Sequence, residues 1–158
     1  METLNIQNWI VKYDKRATHQ AYSQIDIGGP EACGCEPCLN FAAARETIYP
    51  KDIREIFDHI GIDYRKESEV FHCNKEDNGL HCYGGEFLFV GSVENTDEAY
   101  NPSEVKANVL NFEDDAQNFV WSFSARVTFR QSVFESKPTA LFNFAARVPW
   151  VLQTKEPD

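Results

Sequence analysis

At 158 residues, with 42% hydrophobic and 13% aromatic content, the chain carries enough apolar material for one core, and a domain of this size buries roughly two-thirds of its unfolded surface. The formal net charge of −10 works against nucleic-acid and anionic-membrane partners, which bind basic surfaces able to displace counterions from phosphates. No stretch reaches the ~20 apolar residues of a membrane span, and Met1–Ile10 lacks the basic start and apolar run of a secretory signal, so the sequence predicts one soluble cytoplasmic domain over residues 1–158.

Residues Ile6–Tyr13 set Ile6, Trp9, Ile10, Val11 and Tyr13 among polar residues and read as an opening strand. Tyr22–Ile27 reads as a second extended piece that runs into Gly28, Gly29 and Pro30, where regular structure stops and a loop begins. From Pro37, the run Cys38–Arg45 has high helix propensity, and proline suits a first helical turn because its missing N–H would have no partner there. A second helix starts at Pro50. Its Ile53, Ile56, Phe57 and Ile60 recur at three- and four-residue spacing, and Gly61 supplies the C-terminal cap.

Strands follow. Val70–Cys73 and His81–Val93 flank Glu76–Gly79, whose Asn78-Gly79 pair tolerates the positive φ of a hairpin turn. Gly84-Gly85 inside the second of these marks a bulge or bend. Glu94–Asn108, broken by Pro102 and several acids, reads as a surface loop. Trp121–Phe129 alternates apolar and polar residues, and Phe142–Trp150 repeats the pattern after a turn at Lys137-Pro138. Consecutive strands with two neighbouring helices predict an α+β fold, a mainly antiparallel β-sheet covered by an N-terminal helical hairpin.

Chemistry concentrates in one place. Of the five cysteines, three fall in Cys33-Gly34-Cys35-Glu36-Pro37-Cys38, at the start of the first expected helix. Helix-start N–H groups favour thiolates, the form that binds metal or attacks disulfides. An odd number of cysteines with three in six residues is not a secreted disulfide framework, and reduced thiols are expected.

Three readings stand side by side. A structural zinc site would take Cys33, Cys35 and Cys38 plus a fourth ligand, with His72, Cys73, His81 and Cys82 as candidates on the two arms of the predicted hairpin. A thiol-dependent oxidoreductase would use Cys35 and Cys38, a C-x-P-C at a helix start, although a Gly-Gly-Pro loop rather than a buried strand precedes it. In the third, the thiols pack as small buried hydrophobes. No serine-nucleophile elbow, phosphate-cradling glycine loop or zincin motif occurs, and Glu113-Asp114-Asp115 lacks calcium-loop spacing. The function expected is therefore a small binding or interaction module with a thiolate cluster, its protein or small-molecule partner and oligomeric state left open.

The run Cys33–Phe41, with Tyr49-Pro50, Gly61-Ile62-Asp63, Tyr83-Gly84-Gly85 and Val148–Leu152, resembles a group of uncharacterised bacterial proteins of similar length. The resemblance spans most of the chain and implies a bacterial source and a shared fold, but no reaction. In that group the triple cysteine belongs to the pattern and Cys73 and Cys82 do not, which implies His81 as the fourth ligand.

Overall fold

The computed structural model describes residues 1–101, 110–127 and 130–157. The elements run β1 (Glu2–Ile6), β2 (Trp9–Tyr13), α1 (Lys15–Ser23), α2 (Gly29–Cys33), α3 (Glu36–Ala44), α4 (Lys51–Ile60), β3 (Glu69–Lys75), β4 (His81–Asn95), β5 (Phe119–Ser124) and β6 (Thr139–Val148). The fold is α+β: six antiparallel strands in the order β1-β2-β4-β6-β5, with β3 also on β4, and four helices among the described residues. No helix among the described residues is long and apolar enough to cross a membrane.

Strand β4 organises the sheet. One edge pairs with β6 from His81 to Val90. The opposite edge is shared, with β3 along His81–Glu86 and β2 along Gly91–Asn95. The gap between those two partners would leave backbone groups unpaired in the interior, a costly arrangement. Side chains and loop backbone fill it. Ser68 Oγ accepts from Leu88 N–H, the Tyr22 hydroxyl donates to Leu88 C=O, Thr18 Oγ1 accepts from Val90 N–H, and Asp14 N–H donates to Val90 C=O. Helix α1 and its N-cap thus stand in for much of a missing strand.

The core is aromatic. Ile53, Ile56, Phe57 and Ile60 of α4 are buried, each worth about 1.5–3 kcal/mol against exposure. Phe57 meets Phe87 and Phe142 at ring separations of 4.8 and 4.9 Å, and Tyr49 meets Phe144 at 5.4 Å. The glycines at 84 and 85 are not a bulge. A β-carbon on Gly84 would collide with the Phe71 ring, and one on Gly85 with the Phe144 ring, so they are flat places on the sheet where rings lie down.

Several expectations are corrected. The opening strand is a hairpin of β1 and β2, turning at Gln7-Asn8 with Gln7 at φ 51°. Tyr22 belongs to the end of helix α1 rather than to an extended piece. The two-helix hairpin resolves into four helices, with α3 packed on α2 and α4 against α1. The bulge lies on β3, between His72 and Asn74. Strand β4 runs on to Asn95, into the expected loop, of which residues 102–108 lie outside the described ones, as do residues 128 and 129 of the expected Trp121–Phe129 strand. Helix α4, its Gly61 cap at φ 95°, and the β3–β4 hairpin agree with the sequence reading.

Candidate metal centre

The cysteine turn is a two-helix corner. Helix α2 ends at Cys33, and Gly34 takes the left-handed conformation at φ 70°, donating its N–H to Pro30 C=O. An L-residue suffers a steric penalty there that glycine avoids. Cys35 is the N-cap of α3 and Cys38 lies three residues on, in its first turn, with Pro37 between them. The left-handed reversal brings the end of one helix beside the start of the next. The three sulfurs consequently lie within 4.8 Å of one another, and Cys33 Sγ sits 3.4 Å from Cys35 Sγ.

Cys33 and Cys35 are exposed and Cys38 is buried. Hydrogen bonds from the Cys35 backbone and from the neighbouring thiols pull the Cys33 thiol below its ordinary value. Burial, reinforced by the two thiols beside it, pushes the Cys38 thiol well up. The group therefore holds one acidic and one reluctant thiol around a common point. Three sulfurs so placed can hold a metal ion, since soft thiolates are zinc and copper(I) ligands.

Two buried networks fix the corner. On the α2 side, Arg45 forms a bidentate pair with Glu67 at 2.9 and 2.7 Å and reaches Glu31 of α2 at 2.6 Å. Tyr49 donates to Glu67 at 2.9 Å, and Gly29 N–H donates to Glu67 C=O at 2.8 Å. Glu67 is fully buried. Burial raises its carboxyl, and the Arg45 guanidinium opposes that rise. On the α3 side, the Tyr83 hydroxyl of β4 donates to Pro37 C=O at 2.8 Å and accepts from Asn40 Nδ2 at 3.3 Å. Asn40, also fully buried, clamps the C-terminal segment: Nδ2 donates to Pro149 C=O, and Oδ1 accepts from Val151 and Leu152 N–H.

His81 stands outside the sulfur group. It is fully buried, with Nδ1 2.9 Å from His72 Nε2 and Nε2 2.7 Å from Glu156 Oε1. Trp150 covers it at a ring separation of 5.3 Å. Burial and the His81 ring hold His72 below the usual imidazole value, and the His81 bond holds Glu156 below the usual carboxylate value. Both His81 nitrogens are thus engaged elsewhere. Cys73 and Cys82 lie on the β3–β4 hairpin, also outside the group.

Sequence reasoning found the cysteines but missed Arg45, Glu67, Asn40 and Tyr83. One cue was present. An asparagine on the buried face of the apolar run Cys38–Ala44 has to find partners for both ends of its amide. Apart from Tyr83, the partners lie more than a hundred residues away, so the cue alone could not name them. No protein-family model, curated protein or solved structure matches the chain.

Proposed function

We propose that this chain is a metal-binding module in which Cys33, Cys35 and Cys38 hold a zinc ion as thiolates. The observation that carries the reading is the convergence of three sulfurs within 4.8 Å across the α2–α3 corner. The corner is supported from both sides before any metal arrives, and a preformed site loses less ordering entropy on binding. Three protein ligands leave one position of a tetrahedral zinc for another donor. His81 can fill it only by giving up Glu156 or His72, so a water or a donor from a partner molecule is the better occupant. Exposed Leu39 and Val151, one next to Asn40 in the chain and the other bonded to it, supply apolar surface near the corner.

Zinc titration against a chromophoric chelator tests the reading. One equivalent bound by the wild-type chain, lost in Cys35→Ser and unchanged in His81→Ala, is the expected result. Loss in His81→Ala with the fold intact would restore His81 as the fourth ligand. No binding by the reduced wild-type chain would remove the metal reading.

The second reading, a thiol-dependent oxidoreductase, is favoured by the position of Cys35 as N-cap and Cys38 in the first turn of α3. Against it, the motif follows helix α2 rather than a buried strand. A Cys35–Cys38 disulfide that forms in preference to zinc binding under mild oxidant would support it.

A further inference from the structure

We propose that Cys73 and Cys82 form a second, independent thiol site, a reversible disulfide pair that exchanges with small uncharged or cationic disulfides. On β3 and β4, His72 pairs with Tyr83, and regular antiparallel pairing continued one step further sets Cys73 opposite Cys82. The bulge falls at this step. Asn74 is the residue that pairs with Cys82, so Cys73 and Asn74 together oppose one residue of β4. In such a two-against-one arrangement the extra residue is left out of the ladder and its strand bends locally. Cys73 keeps its place beside Cys82 without being fixed by the ladder, and the two thiols interact: Cys73 contributes, after burial, to raising the Cys82 thiol to about 12.

The two thiols differ in a way that orders the chemistry. Cys73 is exposed and Cys82 is half-buried. On its other side Cys82 pairs with Arg147 of β6, which is held by Glu76 at 2.7 Å and by Asp114 C=O at 2.7 Å. A cation fixed beside a buried thiol stabilises its thiolate when the proton leaves. The Cys73 thiolate attacks the incoming disulfide R–S–S–R, its sulfur bonds to one S–R, and R–S⁻ departs. Cys82 then loses its proton to water as it attacks Cys73 Sγ, expelling the second R–S⁻, and the two departing thiolates take up from water the two protons that Cys73 and Cys82 lost. The balance is two protein thiols plus one R–S–S–R to one protein disulfide plus two R–SH. Access is through the exposed Cys73, and the chain runs on from it at Asn74 into an open cleft of about 690 Å³ lined also by Lys75, Glu76, Asp77, Asn78 and Asp115. Glu76 and Arg147 offset each other, leaving Asp77 and Asp115 against Lys75 in the cleft, a balance that disfavours an anionic disulfide there.

Lys75 lies between the two cysteines in the chain, which makes the test direct. The zinc-loaded wild-type chain is incubated with cystamine or with oxidised glutathione, remaining thiols are alkylated, and the unreduced protein is digested with trypsin. The expected product is peptide Glu67–Lys75 disulfide-linked to the peptide beginning at Glu76, formed several-fold faster with cystamine. Cys82→Ser should stop at a stable cysteamine adduct on Cys73, and Cys73→Ser should leave Cys82 unmodified. Adducts that persist on wild-type Cys73 while Cys82 remains alkylatable would overturn the proposal. So would a link from Cys73 to any of Cys33, Cys35 or Cys38, or a faster reaction with oxidised glutathione.

Discussion

The molecule holds two groups of thiols, and they are built in opposite ways. At the α2–α3 corner the backbone reverses through Gly34 and three sulfurs converge, two of them exposed. On the β3–β4 hairpin two thiols sit side by side at a bulge in a sheet, one of them half-buried. At the corner, hydrogen bonds lower the exposed Cys33 thiol. On the sheet, burial lifts Cys82 to about 12. Nearness of cysteines is therefore not one property. Convergence of three around a point suits a metal, whereas a neighbouring pair with one accessible member suits exchange.

The largest effect should come from removing the support of the corner. Arg45→Ala leaves Glu67 buried without its partner and frees Glu31, and breaking a buried pair in this way costs about 3–5 kcal/mol. Urea unfolding should show that loss. Arg45→Ala together with Glu67→Gln should recover part of it, because no uncompensated charge is left inside. A loss below about 1 kcal/mol in the single variant, no more than an ordinary substitution causes, would mean that the ion pair does not hold α2 in place.

A pH experiment probes the sheet beside the second thiol group, at Glu86, which by strand parity shares the β4 face of Cys82. Glu86 is 2% exposed and burial, with Glu69 beside it, raises its carboxyl from 4.5 to about 7. A raised carboxyl means the folded state prefers the proton. Its stabilising contribution is full below pH 4.5 and is lost as pH rises from there to about 7. Glu86→Gln should remove that slope and gain on the order of 1–3 kcal/mol at pH 8 relative to wild type. Denaturant midpoints measured across this window check it, and equal pH slopes in wild type and variant would refute the assignment. The same logic applies to Cys82, whose contribution should fall as pH rises from 9 towards about 12, and Cys82→Ser should flatten that region.

A smaller effect separates the corner from the sheet more finely. Tyr83→Phe deletes the bond to Pro37 C=O, between Cys35 and Cys38 in the chain, and should cost about 1 kcal/mol of stability while weakening zinc binding by no more than roughly tenfold, since it supports the turn that carries the ligands rather than a ligand itself. Trypsin mapping of Cys73 and Cys82 should be unchanged. Cys73→Ser, at an exposed position, should alter stability by no more than ~0.5 kcal/mol.

The sequence was legible wherever a signal was local. Helix α4 announced itself by the spacing of Ile53, Ile56, Phe57 and Ile60 and by Gly61, and the cysteine turn by its own density. Helix α1 did not, because only Thr18, Ala21 and Tyr22 of its nine residues are buried and two of those three carry hydroxyls aimed at β4. Its reason for existing is the unpaired edge at Leu88 and Val90, 66 and 72 residues away from Tyr22 and Thr18. The β1–β2 turn lacks the glycine that would have flagged it, since Gln7 itself takes the positive φ. Likewise, the His81 partners, His72 and Glu156, come from a neighbouring strand and from the C-terminal segment. Spacing could suggest His81 as a ligand, but only the fold shows that its nitrogens are already engaged.

The most direct measurement is zinc stoichiometry of the reduced chain beside a variant carrying serine at Cys33, Cys35 and Cys38, by native mass spectrometry at mildly acidic and mildly alkaline pH. The expected result is one zinc per wild-type chain, with affinity rising with pH because the raised Cys38 thiol must lose its proton to bind, and none on the triple variant. Equal zinc on both proteins, or none on either, would contradict a metal centre at the α2–α3 corner.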